Sequence, residues 1–134
     1  MKKLFITLSF VLIGIFYANA QANEPVYDKT DVAAEFQGGM TEMSNFIGKN
    51  LKYPKPAVDA KVSGKVFVKI IIEKDGSISS QEIVQGIGFG CDKEVMRVVG
   101  LMPKWTAAQI GGKAVRSSMV LPVMFALDNT KKSK

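Results

Sequence analysis

Hydrophobic and polar positions alternate most cleanly between Lys65 and Glu73. Val66, Val68, Ile70 and Ile72 fall on one face, and Phe67, Lys69, Ile71 and Glu73 on the other. A period of two predicts a strand. Its first face is wholly apolar and belongs against a core; its second is mixed and partly wet. Asp75-Gly76 follows, a hairpin signal because glycine supplies a positive φ at no steric cost. A second strand is expected over Ile78–Gln85, where the adjacent Ile83 and Val84 break the alternation and admit a bulge. A third strand is expected over Ala114–Leu127. Val115, Ser117, Met119, Leu121, Val123, Phe125 and Leu127 share one face; Arg116, Ser118, Val120, Pro122, Met124 and Ala126 share the other. Pro122 cannot donate to a ladder, so this strand is expected at an edge with the proline nitrogen outward. The first strand, the most apolar, is then central.

Two segments carry the helical period instead. After the breaker Gly38-Gly39, Thr41 can cap a helix whose stripe is Met43, Phe46, Ile47 and Leu51. Gly48 weakens it by roughly 1 kcal/mol against Ala. Tyr53-Pro54 ends it, because a residue before proline leaves the α region. Lys55–Ser63 reads as a linker with some helical character. Asp92 can cap a second helix with Val95, Val98, Val99 and Met102 on its core stripe, widened by Met96 and Leu101 and stopped at Pro103. Trp105 reads as a core plug under the sheet. The expected fold is α+β: a three-stranded antiparallel sheet, strand order 2-1-3, with helices on one face, in the succession ββαβ behind an extra helix. Residues 21–37 are expected as an irregular lead-in, 38–127 as the domain and 128–134 as a basic disordered tail.

The first twenty residues carry a targeting pattern. Lys2 and Lys3 precede an apolar run from Leu4 to Tyr17, and Ala18-Asn19-Ala20 is an A-x-A cleavage site. That run is shorter than the roughly 20 residues of a spanning helix. A cleaved signal peptide and a periplasmic body are expected, with an uncleaved inner-membrane anchor as the alternative. Lys2, Lys3, Lys131, Lys132 and Lys134 account for five of the net +6. The body is therefore close to neutral, which argues against nucleic acid as a partner.

Little in the chain points to catalysis. There is no histidine, the commonest general base and metal ligand. The single cysteine, Cys91, can form no internal disulfide; it is either a small buried residue or a free thiol. Glu73, Asp75, Glu82, Asp92 and Glu94 are scattered over turns, faces and helix starts without metal-ligand spacing. Gly86-x-Gly88-x-Gly90 lies between a strand and a helix but lacks the Lys-Ser/Thr of a nucleotide loop. A flexible connection is the better reading. No cofactor, metal or small-molecule substrate is expected.

The order and spacing of several pieces carry a resemblance. They are Tyr53-Pro54-x-x-Ala57, Gly64-x-Val66-x-Val68, the Asp75-Gly76 turn, the helix from Asp92, Pro103-Lys104-Trp105 and the closing VRSSMVLPVMF. Together they resemble the C-terminal domain of the TonB energy-transducer family, over roughly Glu35–Leu127. The resemblance implies a domain that grips a short segment, the TonB box, of outer-membrane transporters. The box adds as a strand beside the last strand of the domain, so backbone bonds give affinity and alternate side chains specificity. Carried onto this chain, the partner-binding residues are Lys52, Tyr53 and Pro54 with Val115, Arg116, Ser117, Ser118, Met119, Val120, Leu121 and Val123.

The chain also departs from that family. A full transducer keeps its membrane helix and carries a long proline-rich spacer. Here only about fifteen polar residues precede the domain, reaching roughly 50 Å when fully extended. A better-known member has Arg two residues after the Tyr-Pro pair, where this chain has Pro56. The expectation is a periplasmic module that binds an extended peptide of an outer-membrane transporter. The alternative is a self-associating envelope adaptor without energy transduction, a homodimer joined through the same edge.

Overall fold

A computed structural model describes residues 24–127. The expected leader at residues 1–20 and the expected tail at 128–134 lie outside them. Eight elements follow one another: β1 (Val26–Tyr27), α1 (Gly39–Asn50), α2 (Lys55–Asp59), β2 (Gly64–Ile72), β3 (Ile78–Gln85), α3 (Cys91–Gly100), β4 (Ala108–Ile110) and β5 (Lys113–Phe125). Among the described residues no helix is long and apolar enough to cross a membrane.

The sheet has five strands, not the expected three. Its path is β1-β5-β2-β3, with β4 paired to β5 off that path. β2 is central and antiparallel to both neighbours, from Gly64↔Phe125 to Ile72↔Ser117 on one side and from Phe67↔Gln85 to Ile72↔Ile78 on the other. The additional strands have two and three residues. Elements that short carry no periodicity, and their pairing comes from tertiary packing. β1 runs parallel to β5 at Val26↔Arg116 and Tyr27↔Ser117. β4 makes a hairpin with the start of β5 through Gly111-Gly112. The β2–β3 register shifts twice, between Phe67 and Val68 and between Ile71 and Ile72. The first shift falls at the adjacent Ile83 and Val84.

The core lies on the face that alternation assigned to it. Val66, Val68, Ile70 and Ile72 are fully buried, with Val95, Val98 and Val99 of α3 and Leu121, Val123 and Phe125 of β5. Residues 32–36 also reach it. Val32 and Glu35 bridge to Gln109 and Thr106, which turns Ala34 and Phe36 inward. Trp105 is 5% exposed, packs edge-on against Phe36 with centroids 5.7 Å apart, and donates its backbone N–H to Gly76 O at 2.8 Å. The indole thus plugs the sheet where the β2–β3 hairpin turns.

The helix starts differ from the sequence reading. Gly38 and Gly90, both left-handed, stand at the N-cap positions of α1 and α3, and neither helix has a side-chain cap. Thr41 and Asp92 sit inside the first turns instead. Asp92 turns back to the glycine loop, where its Oδ1 accepts from the N–H of Ile87 at 2.9 Å and of Gly88 at 3.3 Å. Two amides that a phosphate would need are thereby already satisfied.

Candidate functional site

A strand at the rim of a sheet offers unpaired backbone groups to a second chain. This sheet has two such rims, and they differ. β3 carries both register shifts and a polar row of Ser79, Ser80, Glu82 and Gln85. Bulges twist an edge and interrupt its hydrogen-bond row. β5 keeps an unbroken register with β2 over Ser117–Phe125.

On its other side β5 is divided. β4 pairs with Lys113–Val115, and β1 with Arg116 and Ser117. From Ser118 to Phe125 the outer side of β5 has no strand beside it among the described residues. On a strand, alternate residues turn both backbone groups to one side. Pro122 has no N–H, and a continuous ladder with β2 sets it in the outward row with Ser118, Val120 and Met124. That row offers carbonyls throughout and lacks a donor at one place.

The residues singled out from sequence therefore separate into groups. Ser118, Met119, Val120, Leu121 and Val123 stand on the open stretch. Val115, Arg116 and Ser117 stand where the chain's own strands already pair. All three guanidinium nitrogens of Arg116 are engaged: Nε donates to Glu73 Oε1 at 2.7 Å, Nη2 to Oε2 at 3.1 Å and Nη1 to Glu24 O at 2.6 Å. Both side chains of the Arg116–Glu73 pair are about 15% exposed. The guanidinium holds the Glu73 carboxyl below its ordinary pKa, with the Ser79 hydroxyl assisting against the cost of burial. Lys74 lies 2.6 Å from the Glu24 carboxylate and completes the clasp on β1.

Lys52, Tyr53 and Pro54 lie at the far end of the same strand. The Tyr53 ring meets Phe125 edge-on with centroids 5.4 Å apart, and its hydroxyl donates to Val62 O. Burial, and after it the nearby Cys91, raises the Tyr53 phenol above its ordinary pKa. The backbone N–H of Lys52 donates to Glu94 Oε2 at 2.7 Å, while Arg97 bridges Glu94 and Asn50 O. Pro54 caps α2. These three residues thus anchor the chain at the mouth of the edge, and the side chain of Lys52 is exposed there.

A groove that the sequence did not announce runs beside Met119 and Leu121. It encloses about 520 Å³ between β5, Trp105, residues 32–36 and the first turn of α1. Its walls come from segments about 80 residues apart in sequence, so no local pattern marks it.

Cys91 is fully buried, and burial, with Asp92 adding to it, pushes its thiol above the ordinary value, so it forms a nucleophilic thiolate less readily. Among the described residues no three of His, Cys, Asp and Glu come together to hold a metal.

Comparison with known proteins bears on the whole of this region. Two solution structures of the Helicobacter pylori TonB C-terminal domain are similar to it. One, of residues 179–285, is 19% identical, with 66% of this chain and 80% of that chain covered and a TM-score of 0.48. The other, of residues 194–285, is 20% identical, with 65% and 91% covered and a TM-score of 0.46. No curated protein matches. The family model of the Gram-negative bacterial TonB protein C-terminal matches residues 49–127, from the end of α1 to beyond β5. That is well over half of the sequence, and the chain belongs to the TonB C-terminal domain family.

Proposed function

We propose that this domain binds an extended peptide of the TonB-box type, from an outer-membrane transporter, by adding it as a strand along Ser118–Phe125. Membership of the family ties the domain to TonB-dependent transport. The observation that carries the finer reading is the open outer side of β5, regular over eight residues while the opposite rim is bulged. Lys52–Pro54 frames one end of that stretch through the Tyr53–Phe125 contact. The domain acts in the periplasm, as a binding module and not as an enzyme.

The strength follows from counting. Four outward residues, one of them a proline, supply seven backbone groups at most. At about 1 kcal/mol net each, less the ordering of the peptide, the affinity lies in the micromolar range or weaker. Titrating a TonB-box peptide into the isotope-labelled protein tests this. Amide shifts should concentrate on Ser118–Phe125; none there at millimolar peptide rejects the reading.

The same edge supports a second reading, pairing with another copy of the chain without energy transduction. Sedimentation over a concentration series separates the two, since a monomer at all concentrations rules out self-association.

A further inference from the structure

We infer that the groove beside β5 selects the docked segment by two large apolar side chains, at positions i and i+2, that stand beside Met119 and Leu121. This inference rests on the strand-addition reading and names what that strand must carry. A strand added to β5 continues the sheet, so its alternate side chains point to the core side. The inward residues of β5 itself are Ser117, Met119, Leu121, Val123 and Phe125, all more buried than the intervening Val120 and Met124, which are 49% and 54% exposed. A neighbouring strand places its inward side chains about 5 Å from these, on the same face.

What they meet there changes along the edge. Next to Met119 and Leu121 lies the recess of about 520 Å³, walled further by Phe36, Met40, Met43 and Trp105. Val123 and Phe125 do not line that recess, and Tyr53 packs edge-on against Phe125. The demand for bulk is therefore local. Apolar side chains that enter the recess leave water, and each added methylene should tighten binding by about fourfold. A polar side chain there gives up its hydration against walls that are mostly apolar, with only the Glu35 carboxylate and the unpartnered Trp105 indole N–H among their polar groups. Glu35 is the one charged residue among the walls.

Three of the walls are methionines, and Met40 at the rim is 73% exposed. Unbranched thioethers re-pack around different shapes. Selection should thus follow apolar bulk, not a single outline, and leucine and methionine should serve about equally.

Capped threonine nonapeptides with terminal lysines provide the probe. One carries leucine at its two central alternate positions, one methionine and one serine. Each is titrated into the labelled protein, reading the Ser118–Phe125 amides for the edge and the methyls of Met40, Met43 and Met119 for the groove. The leucine and methionine peptides should bind at least tenfold more tightly than the serine peptide and should move the methyl signals. Met40→Asp, at an exposed position that leaves the fold intact, should remove most of that advantage and change the serine peptide less than twofold. Equal binding of leucine and serine peptides, with edge amides shifting and groove methyls still, overturns the selection while leaving the strand reading in place. A leucine advantage that survives whole in Met40→Asp overturns the selection in the same way. Absence of edge shifts with every peptide overturns both.

Discussion

Replacing Gly76 by alanine should cost far more than a turn glycine ordinarily does. Gly76 has φ +88 and is buried in the hairpin between β2 and β3. A Cβ there would lie 1.9 Å from the carbonyl oxygen of Trp105 and 3.0 Å from its carbonyl carbon, both backbone atoms that cannot swing aside. Trp105 would have to retreat by more than an ångström. That breaks the Trp105 N–H bond to Gly76 O and loosens the indole from Phe36. The left-handed backbone contributes about 1 kcal/mol or somewhat more, and the lost bond about 1 kcal/mol. Displaced packing around a buried tryptophan adds at least as much again. A total of about 3 kcal/mol or more results, a large share of the roughly 5–15 kcal/mol of a typical domain. Gly88 supplies the control, since its φ is +71 and nothing lies within 4 Å of its added Cβ. Gly88→Ala should cost only about 1 kcal/mol, the conformational part alone. Urea unfolding followed by the fluorescence of Trp105, the only tryptophan, measures both variants. If the two lose the same stability within about 0.5 kcal/mol, the contact between hairpin and tryptophan is not what holds this corner.

Three further outcomes are expected. Glu73 has a lowered pKa in the folded state, so its stabilising effect is present above the ordinary value of 4.5 and fades as pH falls below it; Glu73→Gln should flatten the acid limb of a stability–pH profile, and an unchanged limb refutes the role given to the Arg116 pair. Cys91 should resist a thiol reagent at neutral pH in the native protein and react at once in urea, whereas rapid native labelling would contradict its burial. Pro122→Val restores one outward donor and should tighten a docked peptide about fivefold, one hydrogen bond's worth; the peptide titration reads this directly, and unchanged affinity would show that the nitrogen at 122 faces elsewhere.

Much of the scaffold was legible because long periodic segments declare themselves. Val66, Val68, Ile70 and Ile72 alternate without interruption, and all four are fully buried. Ile83-Val84 broke the period of β3, and a register shift falls there. The caps misled for a specific reason. Thr41 and Asp92 are good N-cap types, but Gly38 and Gly90 just before them take the left-handed turn that starts each helix. β1 and β4 were invisible because two or three residues have no period, and their pairing depends on partners far along the chain. The candidate edge shared that blindness. Its strand could be named from Val115 to Phe125, but only the pairing of β1 and β4 shows that its first part is already occupied. The groove was beyond reach altogether, since Phe36, Met40 and Leu121 meet only in the folded chain.

The clasp of Glu24, Glu73, Lys74 and Arg116 on β1 gives the open edge an end stop. A flat sheet rim ordinarily lets an incoming strand slide, and a slip of one residue turns every side chain to the wrong face. Here a segment sliding towards the start of β5 would run into Tyr27, seated opposite Ser117. On the proposed strand addition, the domain's own first strand would work as a gauge, fixing where a guest strand begins before any of its side chains has been tested.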